Sequence, residues 1–388
     1  MNNNRNIWID YLRTTITIMV VAHHSSLAYT TFATFNKEAY INSTHPIVDS
    51  ARWVGLDIFE NYNDQFFMSL MFLIGGLFLI KSINRKGTLE FVKDRFIRLF
   101  IPFLFIGTPL MLLAYFPSFY LARNSTDIIA YIKDFFTVES WPVGPPWFIW
   151  VLFLFNLIFA LVYKQLINLL NHFEVKIKIV KTFHFLLILF TLTWLLYVPA
   201  AYYFGIGTWF GIGPFDFQLS RIAQYFGYFI IGIVIGHYDF NNNIFSNHSK
   251  LVSKWWMWSS LSLLLYSFLT IAPPHLTKMV IDSSISELTG WMIYLTLYSA
   301  TCTISTIAFL TIFRRWMKTE NCIWNSLSNN AFLIYLTHYI FITWVQFSLL
   351  SINLSAFTKF VITFSTTLVL SWILSHLLKK IKIINRYL

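Results

Sequence analysis

Ten apolar runs separated by short polar connections predict ten membrane-spanning helices, at about 9–31, 61–80, 99–116, 146–163, 183–203, 222–236, 255–272, 290–313, 331–350 and 357–378. The fold class expected from this pattern is all-α and polytopic. No internal repeat and no extramembrane stretch large enough for its own core interrupts it, so residues 1–388 read as a single integral-membrane domain. The longest outer connections, about 32–60 and 117–145, suit lids or short surface helices. The glycine-rich run from Gly205 to Pro214 reads as a turn at the bilayer edge, since it lacks the lysine and preceding strand of a phosphate loop. The first apolar run is long and polar in places, and lacks a small-residue cleavage site; it reads as a retained span.

Charge placement sets the orientation. With the N-terminus in the cytoplasm, 21 of the 28 lysines and arginines fall on the inner side and seven on the outer. The outer seven are Lys37, Arg52, Arg123, Lys133, Arg221, Lys278 and Lys359. This asymmetry follows the positive-inside rule and puts both termini in the cytoplasm. The net charge of +11 therefore reports topology and argues against a nucleic-acid partner. Composition agrees: 57% of residues are hydrophobic and only 12% charged, about half the charge of a soluble domain. Two cysteines, Cys302 and Cys322, supply neither a disulfide framework nor a metal site, and no metal is expected.

Candidate chemistry begins inside the first span. Eleven residues at 100° each bring Arg13 and His24 to one helical face, roughly 16 Å apart along the axis. Ionisable groups in hydrocarbon are costly unless they face protein or a wet cavity. His24 lies about 22 Å from the inner end of the span, in its outer third. Descending spans bring Asn63, Gln65, Trp147 and Gln224 to a similar depth. A histidine there can take a proton from a hydroxyl, while amides hold its tautomer or bind a developing oxyanion. His23 points 100° away and reads as structural. No Ser-His-Asp order and no HExxH pattern is present, and Tyr29 replaces the aspartate that a glycerolipid-type acyltransferase would carry five residues after His24.

A second group lies on the inner side, where Arg95 and Arg98 stand three residues apart on one face. Guanidinium forks suit a phosphate-rich ligand, although positive-inside anchoring accounts for such residues equally well. With Arg13, three arginines would converge beneath His24. Acyl-coenzyme A has the matching shape: a phosphorylated head at the arginines and a long arm presenting a thioester to His24. A non-enzymatic carrier or export partner for a glycan or lipid-linked sugar is the alternative reading; the lack of a repeat counts against it.

These residues carry a resemblance. Ile9-Asp10-Tyr11-Leu12-Arg13 with ten residues before His24 is its first piece, and Asn63-Asp64-Gln65-Phe66-Phe67-Met68 with Leu73-Ile74-Gly75-Gly76 the second. Lys93-Asp94-Arg95-Phe96-Ile97-Arg98-Leu99, Gly144-Pro145-Pro146-Trp147-Phe148, Gln224-Tyr225-Phe226 and Asn329-Asn330-Ala331 with His338 follow in order. Together they resemble the membrane acyltransferase-3 family, in the branch similar to glucan-modifying succinyltransferases. The resemblance implies transfer of an acetyl, succinyl or similar group from acyl-CoA to a glycan hydroxyl, in the cell membrane of a bacterium. It implies His24 as catalytic base and Arg13, Arg95 and Arg98 as donor-binding residues. His338 matches a histidine common near the family's end; its depth, about 11 Å from the inner side, would place it beneath His24 and along the donor channel, or in an interhelical hydrogen bond. Ile74 departs from the small residue usual before the second-span glycines, which bears on packing against the first span.

Overall fold

The computed structural model describes residues 6–172, 182–238 and 240–382. Among the described residues the regular structure is helical apart from one two-stranded hairpin, Trp209–Phe210 (β1) with Phe217–Gln218 (β2). That hairpin contains most of the Gly205–Pro214 run, which is a turn as expected. The helices are α1 (Ile7–Leu27), α2 (Val54–Gly76), α3 (Leu79–Lys86), α4 (Thr88–Arg95), α5 (Thr108–Arg123), α6 (Ile128–Thr137) and α7 (Trp147–His172). Then come α8 (Thr182–Phe204), α9 (Ile222–His237), the single turn α10 (Lys250–Ser253), α11 (Trp255–Ile281), α12 (Glu287–Trp316), α13 (Cys322–Leu349) and α14 (Ala356–Lys379).

Each of the ten predicted apolar segments is largely helical, although 9–31 overruns the end of α1 by four residues and 61–80 crosses the break between α2 and α3. Among the described residues, eight helical stretches are long and apolar enough to cross a membrane. Helix α1 is not in that set, and α9 has only 16 residues. Polarity explains α1: Asp10, Arg13, His23 and His24 dilute its hydropathy, and it tolerates them because it is surrounded by protein. It packs against α2, α12, α13 and α14 at once. Arg5, Lys176, Lys178, Lys181 and Arg386, counted above as inner charges, lie outside the described residues, as do both termini.

Several boundaries differ from the hydropathy pattern. Helix α13 starts at Cys322, nine residues before the apolar run, because the Asn321 side chain caps it by accepting from the Ile323 and Trp324 N–H groups. Its first turns are polar and face other helices. Between α4 and α5 the chain stays helical through two π-helical turns, Phe96–Phe100 and Phe103–Gly107. Such wide turns change which face each residue presents.

Helix α2 approaches α9 backbone to backbone. A Cβ on Gly76 would overlap the Phe229 carbonyl oxygen and stand 2.9 Å from the Ile233 nitrogen. Cβ atoms on Gly232 and Gly236 would overlap the Leu73 and Leu77 carbonyl oxygens. Small residues four apart let backbones meet in this way within a membrane. The second-span glycines therefore pack on α9 and, through Gly75, on Leu152 of α7, not on α1. The departure at Ile74 leaves the α1 contact untouched.

Candidate functional site

His24 occupies the last turn of α1, at the hub of the bundle. On its stripe, Thr17 and Val20 are buried, while Arg13 at the inner end is exposed. Nδ1 of His24 lies 2.9 Å from the Val20 carbonyl oxygen and 3.4 Å from Nε2 of His338. A carbonyl only accepts, so Nδ1 carries the proton and Nε2 keeps its lone pair. His338 repeats the pattern: its Nδ1 donates to the Tyr335 carbonyl at 2.6 Å, leaving its Nε2 to accept from His24. Two imidazoles in tandem thus fix one tautomer of His24 with Nε2 free to act as a base.

The depth expected for His338 is corrected here. The ring centroids of His24 and His338 are 5.3 Å apart, so they share one level. The early start of α13 places His338 about 24 Å into the helix. Aromatic groups complete the surroundings of His24, with His23 at 5.2 Å and Tyr339 at 5.5 Å, both edge-on.

The expected amide layer divides. Asn63 stays near the imidazoles: His23 meets Glu60 at 3.7 Å and the Phe67 ring at 5.1 Å, and Asn63 lies on the α2 stripe between them. Its buried Nδ2 has no protein partner. Gln65 is also buried, with Oε1 unpaired. Gln224 belongs elsewhere; its Nε2 donates to Ser69 at 3.0 Å and to Cys302 at 3.2 Å. Trp147 stands 5.8 Å from Tyr225 and 5.5 Å from Trp209. Both border a second polar cluster built on Arg221, which pairs with Asp64 at 2.6 Å and lies over the Tyr298 ring. Helical phase assigns Gln224 and Trp147 to the Arg221 cluster, which adjoins the imidazoles through the electrostatic contact of His23 and Glu60 with Asp64 and Arg221.

The three arginines have separate partners. Arg13 is 47% exposed and pairs with Asp10 at 3.1 Å. Arg98 is 52% exposed and pairs with Asp94 at 3.0 Å, a carboxylate it shares with Lys86. Arg95 is half-buried, its guanidinium 5.1 Å from the Phe91 ring centroid and its Nε unpaired. A π-helical turn begins at Phe96, between half-buried Arg95 and exposed Arg98, and both guanidiniums interact with Asp94. No hydrogen bond or ion pair among the described residues joins Arg13 to Arg95 or Arg98, or His24 to any of them. A cavity of about 1150 Å³ lined by α8, α9 and α11 includes none of the candidate residues.

Residues outside the apolar runs complete the site. His45, from the connection between α1 and α2, places Nε2 2.7 Å from Gln346 Oε1 and Nδ1 3.5 Å from the Tyr339 hydroxyl. Burial pushes its imidazole down to about 3, so it is neutral at ordinary pH. A lone histidine in a loop has no periodicity to mark it. Glu139, from the connection before α7, accepts the Tyr40 N–H at 3.1 Å; burial raises its carboxyl and the Ile41 and Tyr40 N–H groups oppose that rise.

A polytopic helical protein with a paired-imidazole centre in its bundle is the class that fold and site define. The family model described as an acyltransferase domain, acyltransferase-3, matches residues 6–376, and the chain belongs to that family. It is a membrane acyltransferase. No curated protein and no solved structure matches it.

Proposed function

We propose that the protein moves an acyl group, acetyl or succinyl, from cytoplasmic acyl-CoA to a hydroxyl of a surface or exported glycan at the cell membrane. Its class is the acyltransferases that transfer groups other than aminoacyl groups, with no metal. The observation that carries the reading is the tautomer of His24: Nδ1 is committed to Val20 and His338, and Nε2 is left as a base. In this scheme Nε2 accepts the hydroxyl proton while the hydroxyl oxygen bonds to the thioester carbonyl carbon. The carbon–sulfur bond then breaks, and the imidazolium returns the proton to the departing thiolate. His338 steadies the imidazolium by accepting from Nδ1. The unpaired Nδ2 of Asn63 suits the developing oxyanion. Arg95 and Arg98 supply the cationic groups for a phosphorylated donor head, and Arg13 adds a third at the inner end of the His24 stripe.

The experiment is acyl transfer by purified protein. His24→Ala should lower turnover by about 10²–10⁴-fold, the range for general acid–base catalysis, while CoA binding persists. Full turnover in that variant removes His24 from the mechanism.

A further inference from the structure

His45 lies in no helix of the bundle, yet it is only 2% exposed and stands among the groups that hold His24. The segment that delivers it is fastened at several points. Asp49 forms a 2.7 Å ion pair with Lys359 of α14, with side chains 1% and 3% exposed. The Trp53 N–H donates to the Tyr29 carbonyl at 3.0 Å, and Ser118 Oγ donates to the Pro46 carbonyl at 2.5 Å.

Hydrogen-bond logic then assigns every proton around His45. Gln346 Nε2 lies 3.3 Å from the Ser25 carbonyl and 3.5 Å from that of His24, so this is its donating end. Its Oε1 therefore accepts, and the His45 Nε2 that meets it carries the hydrogen. The remaining His45 nitrogen, Nδ1, is the acceptor for the Tyr339 hydroxyl. The Tyr339 ring stands edge-on to both imidazoles, its centroid 5.5 Å from each. Gln346 thus clasps α1 where the helix runs out of its own N–H donors, and Tyr339 forms a wall beside the His24 ring. Both rest on His45.

We propose that His45 is a positioning residue for acyl transfer: through Gln346 and Tyr339 it fixes the last turn of α1 and so the direction in which His24 presents Nε2. The inference rests on the reading of His24 as the base. It assigns a catalytic task to an outer loop that has no place in the apolar pattern.

Two substitutions separate the two nitrogens. In His45→Gln the new amide nitrogen reaches the position of Nε2 and keeps the bond to Gln346; in His45→Asn it reaches only Nδ1. Full-length protein in detergent is assayed with acetyl-CoA as probe, and carbethoxylation of His24 by diethyl pyrocarbonate is timed by mass spectrometry. His45→Asn should lose about 10–100-fold in kcat, the cost of a base misplaced by on the order of 1 Å, with KM for acetyl-CoA within about twofold. Its His24 labelling rate should change about threefold or more, and His45→Gln should restore both readouts. Parent-like kcat and labelling in His45→Asn overturns the proposal. If the parent turns over no acetyl-CoA, the labelling decides alone: a changed rate in His45→Asn that His45→Gln restores upholds positioning while the proposed function falls. Should His45→Asn fail to fold, Gln346→Met, which keeps the volume and removes both bonds, must show the same loss; unchanged readouts there overturn the proposal.

Discussion

Gly75 and Gly76 are neighbours in sequence, and alanine should have opposite consequences at the two. Both are helical, so each substitution gains about 1 kcal/mol of helix propensity. At Gly75 the new Cβ meets Leu152 Cδ1 at 2.9 Å, a side-chain tip that rotates aside. At Gly76 the same atom overlaps the Phe229 carbonyl oxygen, with the Ile233 nitrogen at 2.9 Å and the Gly232 carbonyl carbon at 3.1 Å. All three are backbone atoms of α9, so relief requires the two helices to part. Parting them also loosens the contacts at Gly232 and Gly236. Overpacking of this kind costs about 1–3 kcal/mol, which exceeds or cancels the propensity gain, and the row of coupled contacts puts Gly76 toward the upper end. Thermal unfolding of purified protein in one detergent should show Gly75→Ala at or slightly above the parent midpoint. Gly76→Ala should fall about 1–3 °C below it. Equal midpoints for the two variants would refute the close approach of α2 and α9.

Three further outcomes follow from the geometry. His338→Ala should reduce turnover by about 10–150-fold, because His24 Nδ1 keeps its bond to Val20 while the imidazolium loses one charge-assisted hydrogen bond; a loss as large as that of His24→Ala, read in the same transfer assay, would make His338 a second base. Arg98→Ala should raise the apparent KM for acyl-CoA with kcat nearly unchanged, and an unaltered KM in a donor titration returns Arg98 to topological anchoring. Asp49→Asn or Lys359→Met alone should destabilise by about 3–5 kcal/mol, and the double variant by less, as seen in thermal melts; additive losses would contradict a mutually dependent buried pair.

The helical segments were legible because each carries an apolar run, and the interior position of α1 follows from polar residues that lipid would not accept. Where helices begin was less legible. The polar first turns of α13 are shielded by neighbouring helices, so hydropathy misses them and misjudges the depth of His338. Depth from span ends brought Asn63 and Gln224 to one level, but rotation about the helix axes puts them in different clusters. The π-helical turns between α4 and α5 have no sequence period of their own. His45, Gln346 and Glu139 are paired by contacts that only the folded chain makes, and no sequence period marks them.

The clasp between Asp49 and Lys359 spans 310 residues of sequence. A ribosome adding about 5–20 residues per second makes the second partner roughly 15–60 s after the first. Until the final helix enters the bilayer, the histidine-bearing loop has no anchor on that side, and the reaction centre is among the last parts of the molecule to be assembled. A chain truncated before α14 would therefore keep its base and lose the frame that aims it.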